Sequence, residues 1–285
     1  MILTLLVTVI LITWYCFALS AYRKTDYYNT THKPLLTVFF DKGNYGEYLT
    51  YKYLRDYEAD GARFLYNCYL PKDNGETTEI DVLMIHRSGI YVFESKNYSG
   101  WIFGSEHQKT WTQTLPNGRK SRKEHFLNPI MQNKLHIKYL EKQIGFGVPL
   151  HSIIVFSERC TLKKIEVGNP NIHVIKRDEV DRTVGDINKR IGVLIAQSRV
   201  DEIYAQLYPF TQVSDEVKKK HIADINNVHT EQVIVQSECK DEIEKKMVCP
   251  RCGGKLVQRT AKKGMQAGNQ FYGCTNFPKC RYIRN

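Results

Sequence analysis

The sequence predicts a mixed α/β domain that follows an apolar N-terminal helix and precedes a small cysteine-bearing module. Three observations lead there. Residues 43–210 run in the order helix, several strands, helix, strand, strand, helix, the pattern of a mixed sheet with flanking helices. Met1 to Ala21 contain no charged side chain. Of the eight cysteines, four lie in the last forty residues.

The apolar segment, residues 1–21, is long enough to cross a bilayer, because about 20 helical residues at about 1.5 Å each span the hydrocarbon core. Trp14 and Tyr15 suit the interfacial end, and Arg23 and Lys24 follow it. A cleaved signal peptide is the rival, with Ala18-Leu19-Ser20-Ala21 as its cleavage region, but the run is long and lacks a leading Lys or Arg. A buried core helix is a third reading. As a single-pass anchor, the segment keeps the Arg23 side and the body of the chain in the cytoplasm, with membrane lipid as a partner.

Residues 22–42 read as a polar juxtamembrane linker. Gly43-Asn44-Tyr45-Gly46-Glu47 then opens a helix to about Tyr57, with Tyr45, Leu49, Tyr53 and Tyr57 as its apolar stripe. Strands follow at Phe64 to Leu70, Glu79 to His86 and Ile90 to Lys96, the last two forming a hairpin through Arg87-Ser88-Gly89. Trp101 to Phe103 and Lys109 to Leu115 are further strands, and Pro116-Asn117-Gly118 is a turn. Asn128-Pro129 opens a helix to about Gln143. His151 to Phe156 and Ile172 to Ile175 are strands, and Ile187 to Tyr208 is mostly helical. Residues 211–246 are a polar linker, partly helical, before a module at 247–285.

A hydrophobic content of 42% suffices for a packed core. The net charge of +11 is concentrated: Lys245 to Asn285 hold ten Lys or Arg and no acid. An anionic partner therefore belongs to the C-terminal end. The cysteine spacing suits a reducing compartment with one metal site better than the disulfide framework of a small secreted domain.

The hairpin carries the candidate chemistry. On Ile90 to Lys96, side chains alternate, so Glu94 and Lys96 share one face and Ser95 takes the other. Asp81 on the neighbouring strand reaches them if the register allows. Two carboxylates suit Mg²⁺ or Mn²⁺, which lowers the pKa of a bound water, while a lysine orients that water or stabilises phosphate charge. Alternating acids and lysines also occur on solvated strand faces. Here Tyr91 and Phe93 make the strand apolar, so an ionised Glu94 needs a partner. His86, His107 and His125 share no ligand spacing and read as surface or turn residues.

The stretch from about Gly43 to Ile137 resembles the nuclease-related domain family, NERD, grouped with the PD-(D/E)XK nucleases. The resemblance rests on Gly43-Asn44-Tyr45-Gly46-Glu47, on Glu79-Ile80-Asp81, on Phe93 to Gly104, and on Asn128-Pro129-Ile130-Met131-Gln132-Asn133. It implies a restriction-endonuclease-like mixed sheet with flanking helices and phosphodiester cleavage with a divalent cation. Asp81 and Glu94 would be ligands of Mg²⁺ or Mn²⁺, Lys96 the catalytic lysine, Glu47 a helix-borne acid and Gln132 a supporting residue. Glu47 also has a structural reading, as an acid in the first turn of a helix, and Gln132 reads equally as an exposed helix residue.

The C-terminal module has the spacing Cys249-x2-Cys252-x21-Cys274-x5-Cys280, which suits one tetrahedral zinc. About forty residues are too few for a stable core without a staple, so the zinc is structural. The segment resembles the C-terminal zinc-finger repeats of type IA DNA topoisomerases, through Cys249-Pro250-Arg251-Cys252-Gly253-Gly254, Gly268 to Cys274, and Asn276 to Cys280. That resemblance implies single-stranded DNA binding, with RNA as the variant. Phe271, Tyr272, Phe277 and Tyr282 would stack on bases or pack the small core. Arg251, Lys255, Arg259, Lys262, Lys263, Lys279 and Arg281 would meet phosphates. Nothing resembles a topoisomerase catalytic domain, and no small-molecule organic cofactor is expected. The expected function is a membrane-anchored nuclease; the alternative is a non-catalytic tether on the same scaffold.

Overall fold

The computed structural model describes residues 2–117, 120–225, 248–260 and 270–284. The chain forms two compact units, Met1–Lys218 and Lys219–Asn285.

The first unit begins with α1 (Ile2–Arg23), α2 (Asp26–Thr31), α3 (Leu35–Phe40) and α4 (Lys42–Leu54). Six strands follow: β1 (Arg63–Pro71), β2 (Thr77–His86), β3 (Gly89–Lys96), β4 (Gly100–Ser105), β5 (Thr110–Asn117) and β6 (Lys120–Leu127). Helix α5 (Pro129–Ile144) leads into β7 (Leu150–Phe156), β8 (Cys160–Glu166) and β9 (Ile172–Lys176), and α6 (Val180–Ile191) and α7 (Gln197–Leu207) come next. Residues 215–225 are also helical.

A five-stranded sheet, ordered β1-β2-β3-β7-β9, forms the centre. β1, β2 and β3 pair antiparallel, whereas β3, β7 and β9 run parallel, since the crossover through α5 returns the chain in the same direction. Helices cover both faces. Tyr51 and Leu54 of α4 and Val180, Val184 and Ile187 of α6 pack with Tyr66, Val82 and Phe93 on one side. Leu140 and Ile144 of α5 and Val200, Ile203 and Leu207 of α7 pack with Leu65, Leu83 and Val92 on the other. A second sheet, β6-β5-β4-β8, stacks Trp111 on Phe156 at 6.0 Å. Gly104 makes room for that indole, because a Cβ there would lie 2.2 Å from its ring. This is a mixed α/β fold with flanking helices, an apolar N-terminal helix and a small stranded cysteine module.

Several expectations change. Residues 22–42 are not a free linker: Tyr22, Tyr27, Leu35 and Val38 are buried in the core beside α4. The tyrosines made the segment look polar, yet the Tyr22 and Tyr27 rings pack edge-on to Tyr48 of α4 while Tyr22 Oη donates to Lys33 O at 2.8 Å. On α4 the buried stripe is Gly46, Glu47, Thr50, Tyr51 and Leu54, and Tyr53 faces out. Small Gly46 and Thr50 allow close approach to the sheet, so the aromatic positions rotate away. β6 and β8 were not expected; β8 is mostly exposed and β6 reads Lys-Ser-Arg-Lys-Glu-His-Phe-Leu, without apolar alternation. The helix expected at 187–208 is two helices broken after Gly192, whose φ is 72°. His86 is buried between Asp60 and Ser88 and pins the β2–β3 turn. Part of the expected turn at Gly118 and the expected linker beyond residue 225 lie outside the described residues.

In the second unit, β10 (Leu256–Thr260), β11 (Gln270–Cys274) and β12 (Ile283–Arg284) form an antiparallel sheet.

Candidate active site and metal centre

The first site lies where β1 and β2 invert their faces. Tyr66 and Val82 point into the α4 side of the core, whereas their i+2 and i−2 neighbours Cys68 and Ile80 point to the α5 side. Strict alternation would keep each pair on one face. The inversion falls at Asn67, whose φ is 50°, and at Asp81, the two residues left between the pairs Tyr66↔Val82 and Cys68↔Ile80. Asp81 is thereby freed from the ladder, and its Oδ2 accepts from the backbone amide of Ser95 at 2.8 Å.

Glu94 lies on β3 and is 4% exposed. Its Oε1 pairs with Lys96 Nζ at 2.6 Å, and its Oε2 meets His136 Nε2 at 3.0 Å. Burial alone would raise its pKa, but Lys96 and His136 outweigh burial and hold it at about 2. Asp81 behaves oppositely. Burial and then the nearby Glu94 and Glu47 carboxylates push it well above the usual carboxylate range, against Lys96. Burial lowers Lys96, but Glu94 and Asp81 overcome this and raise it above its ordinary value. One acid of the pair therefore carries charge while the other favours a proton.

Glu47 sits on α4, 8% exposed. Its Oε2 accepts from Asn67 Nδ2 at 3.0 Å and Tyr27 Oη at 3.4 Å, with Lys33 Nζ at 3.8 Å. Burial raises its pKa, with Lys33 opposing and Glu79 reinforcing. Gln132 is on α5 one turn before His136, and its buried Oε1 has no partner. No hydrogen bond links it to the acids. Gly46 explains the glycine of the Gly43–Glu47 motif: a Cβ there would lie 3.2 Å from Ser95 Oγ and 3.4 Å from Arg177 Nη2.

Sequence reasoning missed His136, Lys33, Asn97 and Arg159. His136 joins Glu94 to Thr78, whose Oγ1 lies 2.6 Å from Nδ1. Its signal was a histidine on the apolar face of α5, with Ile130, Asn133 and Leu140. Lys33 was hidden in the segment read as linker. Asn97 donates to Lys42 O at 2.6 Å and its Oδ1 accepts from Arg159 at 2.9 Å, tying the end of β3 to α4. Lys42, Lys96, Asn97, Gln113 and Arg159 line a cleft of about 510 Å³. Lys96 thus touches both Glu94 and the cleft. Among the described residues, three or more metal-type ligand atoms converge only at the cysteines. Both Glu94 oxygens are engaged, by Lys96 and His136, so a cation held by Asp81 and Glu94 would have to share or displace one of those partners.

The second site is the thiol cluster. Cys249, Cys274 and Cys280 are buried and Cys252 is exposed. All four Sγ atoms lie within 4.8 Å of one another, with Cys249–Cys280 at 3.7 Å and Cys252–Cys274 at 3.3 Å. Sulfurs about 2.3 Å from a single zinc stand about 3.8 Å apart in a tetrahedron, so the cluster fits that ion. The Gly253 amide donates to Cys249 O at 2.9 Å, and φ of 70° at Gly253 closes the first knuckle. The Asn276 amide and side chain reach Cys274 Sγ and Cys252 Sγ at 3.4 and 3.5 Å. The Gly254 amide contributes most to lowering the Cys252 thiol to about 6.

Around it, Phe277 is exposed, Phe271 half-buried, and Tyr272 and Tyr282 pack on the thiol core. Arg259 lies over the Phe277 ring at 5.9 Å, and Arg259, Phe271, Phe277 and Arg281 line a cavity of about 220 Å³. Arg251, Lys255 and Lys279 are exposed. Lys262 and Lys263 lie outside the described residues.

Residues 42–157 match the nuclease-related domain family, NERD, and residues 246–285 match the topoisomerase DNA-binding C4 zinc finger. An uncharacterized Bacillus anthracis protein is 31% identical over 191 residues, covering 67% of this chain and 87% of that one. DNA topoisomerase 1 of Helicobacter pylori strain J99 is 26% identical over 160 residues, 54% of this chain and 17% of the topoisomerase. DNA topoisomerase 1 of Methanocaldococcus jannaschii is 42% identical over 55 residues, 19% of this chain and 6% of that one. No solved structure matches. The chain is a member of the nuclease-related domain family that ends in a topoisomerase-type C4 zinc finger.

Proposed function

We propose that this protein is a membrane-anchored, divalent-metal-dependent nuclease, held by α1 with its body in the cytoplasm, whose zinc module binds single-stranded DNA. The reading divides the chain into an anchor at 1–21, a nuclease-like domain through 210, a linker at 211–246 and the zinc finger at 247–285. One observation carries the chemistry: Lys96, paired with Glu94 beside Asp81, also lines the cleft.

In this reading Asp81 and Glu94 hold a Mg²⁺ or Mn²⁺ ion, which prefers oxygen ligands and keeps several waters. When bound, the cation supplies positive charge to a phosphoryl oxygen and a more acidic water. Lys96 orients the attacking water and stabilises phosphate charge from the cleft side. His136 fixes Glu94, Glu47 adds an acid from α4, and Gln132 supports from α5. The zinc is structural, since four thiolates leave no open position. Phe271, Phe277 and the exposed cations offer stacking and phosphate contacts, while Tyr272 and Tyr282 serve the small core.

A second reading has its own support. Both Glu94 oxygens are already paired, which suits a non-catalytic tether built on a nuclease scaffold. Full-length protein in detergent, incubated with single- and double-stranded DNA and Mg²⁺ or Mn²⁺, separates the two. The nuclease reading expects cleavage by wild type that Asp81→Asn and Lys96→Ala abolish. Equal cleavage by all three proteins, or none by wild type, leaves the tether.

A further inference from the structure

Helix α3 has two apolar faces, and the fold covers one of them. Leu35 and Val38 enter the core. Leu36, Phe39 and Phe40 are 51%, 50% and 84% exposed. Their spacing of i, i+3 and i+4 makes a single stripe on a helix that carries no charged side chain. Neighbouring large apolar residues left in water mark a docking surface.

The fold indicates what covers this stripe. Helix α1 has 22 residues, an 18-residue stretch of mean hydropathy 2.4 and an exposed apolar surface, so it has the length and composition of a membrane span. It is fastened to the start of α3. Tyr22, in the last turn of α1, is buried, and its hydroxyl donates to Lys33 O at 2.8 Å, one residue before Pro34 caps α3. The chain has little slack between span and stripe. Exposed Arg23 and Lys24 end the span, the cationic flank expected at lipid headgroups, and exposed Asp41 and Lys42 follow the stripe.

We propose that Leu36, Phe39 and Phe40 form an interfacial foot that enters the same bilayer leaflet from which α1 emerges. The partner is a phospholipid surface, and the inference rests on the reading of α1 as a span. Between span and foot, Tyr27 and Lys33 both reach Glu47. Seating the foot therefore fixes the segment that holds this acid.

The test uses full-length protein in phosphatidylcholine–phosphatidylglycerol vesicles whose acyl chains are brominated near the headgroup. Trp14 in the parent reports the span. Phe40→Trp in a Trp14→Phe background, read as the difference from Trp14→Phe alone, reports the foot, and Leu36→Trp is a second probe of the same face. The expected result is quenching of the residue-40 and residue-36 signals by about twofold or more, as for side chains at the headgroup–acyl boundary. Unquenched probes at 36 and 40 beside a quenched Trp14 would overturn the foot and leave the span standing. Unquenched signals at all three positions would remove both. Shielding of residue 40 that disappears as protein is diluted into more lipid would assign the face to a second copy and overturn the lipid partner.

Discussion

In the α/β unit, Glu94 and Asp81 are set against two sheet faces that each bury more than a dozen side chains, from Tyr22 to Ile187 on one side and Leu65 to Leu207 on the other. In the C-terminal unit, the buried cluster is Leu256 with Cys249, Cys274 and Cys280. Full burial of one large apolar side chain contributes about 1.5–3 kcal/mol. Among the described residues, Leu256 is the one buried side chain of that cluster besides the cysteines, too little to offset the entropy of ordering the module, so the thiols must hold it through an ion. At the first site the scaffold rests on apolar packing, independent of the cation proposed for its acids. At the second, the ion is the scaffold. Metal removal should therefore have opposite consequences at the two ends of the chain.

The largest expected effect is at the module. Structural zinc binding is worth about 10–16 kcal/mol of folding free energy in small zinc domains. Chelation, or Cys274→Ser, should remove one zinc per chain and collapse the dispersed amide signals of residues 248–260 and 270–284. The cooperative melting of the α/β unit should stay in place. A module that kept its amide dispersion without metal would break the comparison. Chelating divalent cations from the first site should change its melting little.

Smaller effects belong to the partners of Glu94. Lys96→Ala leaves a buried carboxylate with one charged partner fewer, and breaking such a pair costs about 3–5 kcal/mol. Thermal unfolding of Lys96→Ala against Lys96→Arg measures that cost apart from activity. On the nuclease reading, His136→Ala should act on the chemistry, because loss of a group that orients a metal-binding carboxylate lowers metal affinity or rate about 10–100-fold. The check is a Mn²⁺ titration of cleavage, in which His136→Ala needs more metal to reach half-maximal rate. An unchanged midpoint and rate would make His136 a packing residue only.

The two sites also differ in how much of each the chain discloses. Four thiolates at fixed spacing carry their own geometry, so Cys249, Cys252, Cys274 and Cys280 were readable before any fold. Glu94 and Lys96 were readable as a same-face pair, because β3 alternates between the two cores, with Ile90 and Val92 in one and Tyr91 and Phe93 in the other. Asp81 was readable as an acid, but not the face inversion that frees it, because that depends on the left-handed Asn67 one strand away. His136 lies on α5, which packs over the sheet face that carries Val92, and meets Glu94 only once the α5 crossover is in place, so no local pattern pairs them. The segment at 22–42 misled because tyrosine scores as polar while its ring packs like a core residue. The α4 stripe was rotated for a related reason: Gly46 and Thr50 carry no apolar signal, yet close approach to Ser95 requires small side chains.

The smallest expected effect separates packing from contact within the module. Tyr272 and Tyr282 lie against the thiol core, whereas Phe277 is 58% exposed with Arg259 over its ring at 5.9 Å. If the exposed ring stacks on a base, Phe277→Ala should weaken single-stranded DNA binding by about 1–3 kcal/mol while zinc content stays at one per chain. Arg259→Ala should lower the slope of log affinity against log salt by about one, the signature of one lost phosphate contact. Tyr272→Ala should instead disturb the zinc fold, losing amide dispersion along with affinity. The same zinc and folding measurements on all three variants tell these outcomes apart. If Phe277→Ala lost zinc as readily as Tyr272→Ala, the ring would belong to the core, and the cavity beside Arg259 and Arg281 would no longer support a stacking surface.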